Sequence, residues 1–319
     1  MSNAIYNTNK DVPQDMLLGN LVFMNLSDMR IDQSNLHQIF QSQNVPEDFI
    51  RDISAADAFR RATSSIKSTR INIIDPSGRL IDAKLEVDEV RCDSDSIKRV
   101  VGVKAVDDTS ESVAYESVME IVFNRKAGTA VFTPMTMAMG PNLAEYEKIG
   151  QQVVDRFNDW SVYHNKDTVK NMINRIIQST HPVNLMPTGL CKFIPKAHTD
   201  LLYNLKNALE VMSAYRINPS DHENICEIIP VIDTIEQRGL VERNFDAEIT
   251  NDMFAFTQEL KDVIQAKQSL SARSANAYIE KFKALQEKAS EYEGLLGFYR
   301  SAIHQQIQEA LQLIDDNVV

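Results

Sequence analysis

The amino-acid sequence predicts an α+β protein, on three observations. Residues 70–134 alternate apolar and charged side chains as half-exposed strands do. Residues 143–178 and 199–212 place apolar side chains every third or fourth position. The C-terminal residues 236–319 carry one long apolar seam. In chain order this predicts a disordered tail over 1–16, then N-terminal helices with an antiparallel β-meander over 17–135. A middle helical and βαβ-like module over 136–235 and a C-terminal helical hairpin or coiled-coil arm over 236–319 complete it.

"MLLGNLVFMNLSDMRI" sets Leu18, Leu21, Phe23 and Leu26 in an apolar run that predicts a buried strand. Two short helices should follow: "SNLHQIFQSQ", with Ser34 as cap and Leu36, Ile39 and Phe40 as its apolar face, and "PEDFIRDI", opening on Pro46. The third helix begins "SAADAFRRATSSIKSTR" at Ser54, its N-cap, with Asp57 three residues on as in a capping box. From Arg70 the period shortens to two. "RINIID", the turn "PSGRL", "LIDAKLEVDEVRC", "IKRVVGVKAV", "SVAYESVMEIVFN" and "GTAVFTPM" read as four or five antiparallel strands ending near Pro134, with "CDSDS" at 92–96 as a polar hairpin tip.

The middle module opens with two helices. One carries Leu143, Tyr146, Ile149, Val153 and Phe157, with the only tryptophan, Trp160, at its end in a packing role; the other carries Val169, Met172 and Ile176. "TGLCKFIP", a helix striped by Leu201, Leu205, Leu209 and Met212, and "CEIIPVI" then read as strand, helix, strand. In the tail Phe245, Ile249, Met253, Phe256, Leu260 and Val263 form a first series. Tyr278, Phe282, Leu285, Ala289, Tyr292, Leu296, Tyr299 and Ile303 form a second, stepping by four and three, with Gly294 and Gly297 inside it. The second series is longer than the first can cover. The excess must pack on the middle module or on another copy of the chain, and a homo-oligomer is the expectation.

Composition narrows the function. With 45 acidic against 33 basic side chains the net charge is -12, which disfavours broad duplex binding unless basic groups are gathered on one face. No basic segment leading into an apolar block opens the chain, and no apolar run reaches the length of a membrane span, so a cytoplasmic protein is expected, with no membrane among its partners. Cys92, Cys191 and Cys226 are too few and too far apart for a disulfide framework or a metal knuckle. No phosphate loop, dinucleotide fingerprint or nucleophile–base pairing is recognisable. Among His37, His164, His181, His198, His222 and His304, only His198 and His222 are placed to converge, at the ends of one helix and strand. No catalytic residue, metal or cofactor is therefore expected.

The one basic cluster is Arg60, Arg61, Lys67 and Arg70. With Ala56, Phe59, Thr63 and Ile66 as the buried stripe, Arg60 flanks the core about 100° from Phe59 and Arg61 points away at about 200°. The expectation for Arg60 is a forked pair with Asp57 or a carboxylate of the meander; Arg61, Lys67 and Arg70 are the candidate ligand or phosphate contacts.

"DAFRRAT" at 57–63 and "PTGLCKFIP" at 187–195 resemble an uncharacterised family found in phages and mobile elements of Gram-positive bacteria. Where that family more often shows two glycines and an aromatic strand, this chain has Thr188 before a single Gly189, then Cys191 and Lys192. The resemblance implies a phage or mobile-element origin and no particular activity. Its association with ring-forming ATPases suits a subunit or adaptor whose partner is such an ATPase or a host factor. Together these readings predict a non-enzymatic protein that binds another macromolecule and assembles through its tail. The alternative is a nucleic-acid-binding or nucleic-acid-processing protein using the Arg60–Arg70 patch.

Overall fold

Strand β1 (Leu17–Asn25) forms in the predicted apolar run, and its partners lie far along the chain. The computed structural model describes residues 13–75, 77–105, 115–135, 140–186, 191–267 and 269–317; most of the tail expected at 1–16 and residues 187–190 of "PTGLCKFIP" lie outside these. The chain divides into two units built from interleaved segments. The first takes its residues from 1–27, 39–49 and 170–319, the second from 28–38 and 50–169. The expected boundaries near 135 and 235 therefore fall inside units, because strand pairing joins segments that are distant in sequence.

In the first unit the strand order is β11 (Ile225–Ile232), β1, β10 (Lys192–Pro195), β9 (Val183–Asn184). Both β10 and β11 run antiparallel to β1, so they are parallel to each other, and helix α5 (Thr199–Met212) makes the crossover between them. The predicted βαβ unit is thus real but split, with β1 between its strands. Asn20 on β1 donates Nδ2–H to the Thr199 hydroxyl, 2.9 Å away at the start of α5. The opposite face carries Leu18, Phe193 and Val231 into a core shared with the tail.

That tail holds three helices where a hairpin was expected: α6 (Ile235–Lys267), α7 (Ala272–Leu296) and α8 (Ser301–Asp315). Gly297 ends α7 in the left-handed region at φ 76°, and its N–H bonds back to the Glu293 carbonyl. Arg300 then forks onto Asp246 of α6 at 3.1 and 2.9 Å and reaches Glu242 at 2.5 Å, which turns α8 back along the other two helices. The second apolar series is cut by this turn. Tyr278, Phe282, Leu285, Ala289 and Tyr292 are buried on α7 and Ile303 on α8, Leu296 is half-buried, and Tyr299 is exposed in the link, stacked on the His304 ring. Tyr292 stacks on Phe245 of α6 with ring centroids 4.8 Å apart and meets Phe193 of β10 at 6.3 Å. Apart from Tyr299 and part of Leu296, the apolar length of the second series is therefore covered inside the first unit by α6, α8 and the sheet.

The second unit is built on the expected meander, five antiparallel strands in sequence order: β3 (Arg70–Ile74), β4 (Leu80–Cys92), β5 (Ser96–Ala105), β6 (Tyr115–Asn124) and β7 (Thr129–Pro134). Helices α2 (Ala55–Ser64) and α3 (Leu143–Trp160) cover one face, where Phe59, Phe123 and Phe157 meet with ring centroids 5.4 to 6.2 Å apart. Ser54 caps α2 as predicted, accepting from the Asp57 N–H at 3.3 Å. Helix α1 (Gln33–Ser42) is capped by Asp32, which accepts from the Asn35 N–H at 2.9 Å, rather than by Ser34. The expected "PEDFIRDI" helix shrinks to one 3-10 turn, Glu47–Phe49, too short a run to repay helix nucleation. A small pairing of β2 (Arg30–Asp32) with β8 (Tyr163–Asn165) completes the unit.

If the seam serves the fold within one chain, Phe282→Ala should cost about 3–5 kcal/mol, as large-to-small changes in closed cores do. Its urea midpoint, and that of the parent, should not move between about 1 and 50 µM protein. A midpoint that rises with concentration would instead place the seam between copies.

Candidate functional site

The four cations singled out in the sequence separate into two pairs. Arg60 is taken up by the fold, with Nε 3.3 Å from Glu89, Nη1 3.5 Å from Asp57 and Nη2 donating to the Cys92 sulfur at 3.2 Å. Arg99, which sequence reasoning passed over, shares Glu89 at 3.4 Å and caps the end of α2 through the Arg60 carbonyl and the Thr63 and Ser64 hydroxyls at 3.1, 2.8 and 2.8 Å. Arg61 does not point free into solvent as expected. Its Nη1 donates to the Thr168 hydroxyl at 2.7 Å and its guanidinium sits 5.7 Å from the Trp160 ring. The physical reason is that α2 lies beside α3 rather than at an outer surface, so the side turned from the sheet still finds neighbours.

Lys67 and Arg70 are exposed and have no ion-pair partner among the described residues. Strand pairing gives Arg70 a setting that the sequence did not reveal. Arg70 is opposite Lys84, Lys84 is opposite Lys104, and Lys104 is opposite Tyr115, so the four stand in one row across β3, β4, β5 and β6. The row spans about 14 Å at ordinary strand spacing. It lies on the face away from α2 and α3, since the neighbours Leu85 and Val103 are the buried ones. No ion pair within 4 Å is recorded for Lys84 or Lys104 among the described residues, whereas Lys98 farther along the same face is paired with Glu120. Asp82 and Glu86 flank Lys84 two residues away on β4.

Tyr115 completes the row. It is 47% exposed, and its hydroxyl donates to Asp88 on β4 at 3.0 Å, so the side chain crosses the intervening strand β5. Gly102 lies beneath it, and a Cβ there would come within 2.3 Å of the tyrosine ring. A glycine at this position is what lets the ring lie down on the sheet. Two irregularities produce the alignment: an extra residue, Val90, in β4 and another, Val118, in β6, each shifting the pairing beyond it. Alternation alone puts Lys84 and Lys104 on exposed faces, and that is the only signal of them in the sequence.

The first unit has its own concentration of ionisable groups. Lys288 of α7, 8% exposed, donates to Glu248 of α6 at 2.6 Å and to the Pro182 carbonyl at 2.7 Å, while Glu248 also accepts from the Asn184 backbone and side-chain N–H groups at 2.9 and 3.0 Å. Burial pushes the nearby Asp252 carboxyl up and the Lys192 ammonium down. One turn along α7, Glu291 holds His181 at 2.7 Å and His198 at 3.0 Å, one on each oxygen. Burial works to raise its pKa, but the two histidine hydrogen bonds outweigh that and hold it at about 2. His198 thus converges with His181 and not with His222, whose carbonyl accepts from Ser27. Lys288, Glu248, Glu291 and the two histidines satisfy one another and tie α6 and α7 to β9 and to the segments around His181 and His198, while Lys192 and Asp252 have no ion pair within 4 Å among the described residues. No group of three or more His, Cys, Asp or Glu able to hold a metal is present among the described residues.

Both units lie within one family match, which runs over residues 17–316, from the first residue of β1 to just past α8. The chain belongs to DUF6744, a family of unknown function. No curated protein and no solved structure matches it. Among the described residues of this DUF6744 chain, no helix is long and apolar enough to cross a membrane.

His164 of β8 supplies the pH dependence. It is 1% exposed, its Nε2–H donates to Gln33 Oε1 at 2.9 Å, and its Nδ1 has no partner among the described residues, so protonating Nδ1 would bury an unpaired cation. Desolvation, with Arg61 and His37 adding repulsion, lowers its pKa to about 4. The unfolded chain then binds the extra proton first. Stability should fall as pH drops from about 6.5 to about 4, by on the order of 3 kcal/mol from this group, and His164→Gln should flatten that limb in urea titrations. Glu291 contributes in a lower window: its stabilisation is complete above its ordinary value of 4.5 and is lost as pH falls towards 2. Lys288→Ala, which strands Glu248 beside buried backbone, should cost about 3 kcal/mol by the same titration at pH 7.

Proposed function

We propose that this chain is a non-enzymatic binding protein whose ligand surface is the open face of the five-stranded sheet. The observation that carries the reading is the row Arg70–Lys84–Lys104–Tyr115. Cations directly opposite one another on neighbouring strands destabilise a sheet by a few tenths to about 1 kcal/mol per pair, so the fold gains nothing from them. A row of this kind, without ion-pair partners among the described residues, is explained by a ligand that neutralises it. Lys288, Glu248, Glu291, His181 and His198 of the first unit differ in this respect, being paired with one another and with backbone.

An antiparallel sheet covered on one face only also offers its strands as a rigid platform. Val131 on β7 is 60% exposed on the same face, opposite Val122, so apolar contact is available beyond the charged row. The tail enters this reading as a scaffold, because its seam is taken up inside the first unit. A phage or mobile-element origin remains part of the proposal and rests on the resemblance at 57–63 and 187–195, and a cytoplasmic setting remains part of it on the charge and apolar patterning of the sequence.

A photo-crosslinking residue placed at Lys104 or Val131 tests the surface, with Lys148 on α3, exposed away from this face, as control. In cells making the protein, discrete adducts from the two sheet positions and none from position 148 are expected, and digestion with nuclease or protease then tells what the adduct contains. Sheet positions that give no adduct above the control would overturn the reading.

A further inference from the structure

We propose that the ligand of this sheet face is a single-stranded nucleic acid, its phosphates on Arg70, Lys84 and Lys104 and a base stacked on Tyr115. The inference rests on the open-face reading above and names the ligand class for it. Three observations favour this ligand over other anions. First, the cations are in a line. Adjacent strands are about 4.8 Å apart, and long, mobile Arg and Lys side chains on three consecutive strands match a chain of phosphates better than a compact anion, which one or two of them would satisfy. Lys67, exposed in the turn before β3, adds a fourth positive charge near the Arg70 end of the row.

Second, the row ends in an aromatic ring presented for stacking. The Tyr115 ring rests on Gly102 with its hydroxyl tethered to Asp88, and it remains about half exposed. Its orientation is therefore set before any ligand arrives. An aromatic ring lying on a sheet gives a base a π surface, worth about 1–3 kcal/mol per base, and this is sequence-tolerant because every base has a flat face. An acidic peptide would use the cations and leave the ring idle.

Third, the remaining charges select against a duplex. Asp82, Glu86 and Asp88 stand on β4 beside the row, and the whole chain carries a net charge of -12, so the wider surface repels a broad, densely charged rod. A flexible single strand can follow the narrow basic row and keep the rest of its length away from the acidic groups. This also accounts for how an acidic protein could hold nucleic acid at all.

The test is fluorescence anisotropy with the full chain and labelled fifteen-nucleotide dT and rU oligomers, the matching duplex and a poly-glutamate competitor. Saturable binding of a single strand is expected at 50 mM salt. With three phosphate contacts the logarithm of affinity should fall against the logarithm of salt with a slope of about -2, and the duplex should bind at least about tenfold more weakly. Lys84→Gln with Lys104→Gln should weaken binding by about tenfold or more. Tyr115→Ala should weaken it by between about fivefold and a hundredfold while Tyr115→Phe keeps most of it, and Lys148→Glu should change nothing. Circular dichroism and a melting curve on each variant separate lost binding from lost folding. No saturable binding of either oligomer, binding insensitive to the Lys84/Lys104 pair, or poly-glutamate competing as well as the oligomer would each overturn the inference. Protease-sensitive adducts at positions 104 and 131 would then leave the open-face reading standing with a protein ligand, and no adducts would remove both.

Discussion

The apolar seam of the tail has to be buried, and the face of the four-stranded sheet built on β1 is where the fold buries it. Most of the first unit follows from that. Leu18 of β1, Phe193 of β10 and Val231 of β11 supply one wall, Phe245 and Tyr292 bring α6 and α7 onto it, and Ile303 and Ile307 close it from α8. Helices with a single apolar stripe have little stability of their own in water, so their position is set by the surface that covers the stripe. The ionic contacts are consequences of the same packing. Lys288, Glu248 and the His181–Glu291–His198 bridge lie where α6 and α7 meet β9 and the segments beside it, and these charges are matched with one another because an unmatched buried charge would cost several kcal/mol.

The second unit solves its burial problem on one side only. Phe59, Phe123 and Phe157 bring α2 and α3 against one face of the meander, and among the described residues of this unit no helix covers the side chains that alternate with that core. Lys98 and Glu120 on this open face neutralise each other, as expected of a solvated sheet. Among the described residues Arg70, Lys84 and Lys104 have no such partner, and the ring of Tyr115 lies beside them over Gly102. A sheet optimised for stability alone would interleave the charges. The departure from that rule in one row is what distinguishes this face from ordinary solvent-exposed surface.

Arginine fates on α2 illustrate the difference between a basic sequence motif and a basic surface. Arg60 and Arg61 are adjacent and look like a patch, yet Arg60 belongs to a cluster with Glu89, Asp57 and Arg99 and Arg61 to a contact with Thr168 and Trp160. Guanidinium groups make forked contacts readily, so closeness to carboxylates and carbonyls at a helix end absorbs them. Lys84 and Lys104 on strand faces, farther apart in sequence and less conspicuous, are the ones without an ion pair among the described residues.

Sequence alone determined the local features: which segments alternate with period two, which step by three and four, the Ser54 cap, and the strand–helix–strand order of β10, α5 and β11. These depend on residues a few positions apart, and the physics that reads them, pleat, helical pitch and capping, is equally short-ranged. Tertiary structure decided what was not local. β1 was legible as a strand, but its place between β10 and β11 depends on closing loops of well over a hundred residues, which no periodicity encodes. The turn at Gly297 could be seen as a glycine inside a seam; that the chain reverses there depends on Arg300 finding Asp246 and Glu242 on another helix. Lys84 and Lys104 alternate with apolar neighbours and so were readable as lying on an open face, whereas plain alternation puts Tyr115 in phase with the buried Met119, Ile121 and Phe123. The alignment of all three with Arg70 was not readable, because the extra residues Val90 and Val118 set the register, and a shift of one residue turns every following side chain to the opposite face.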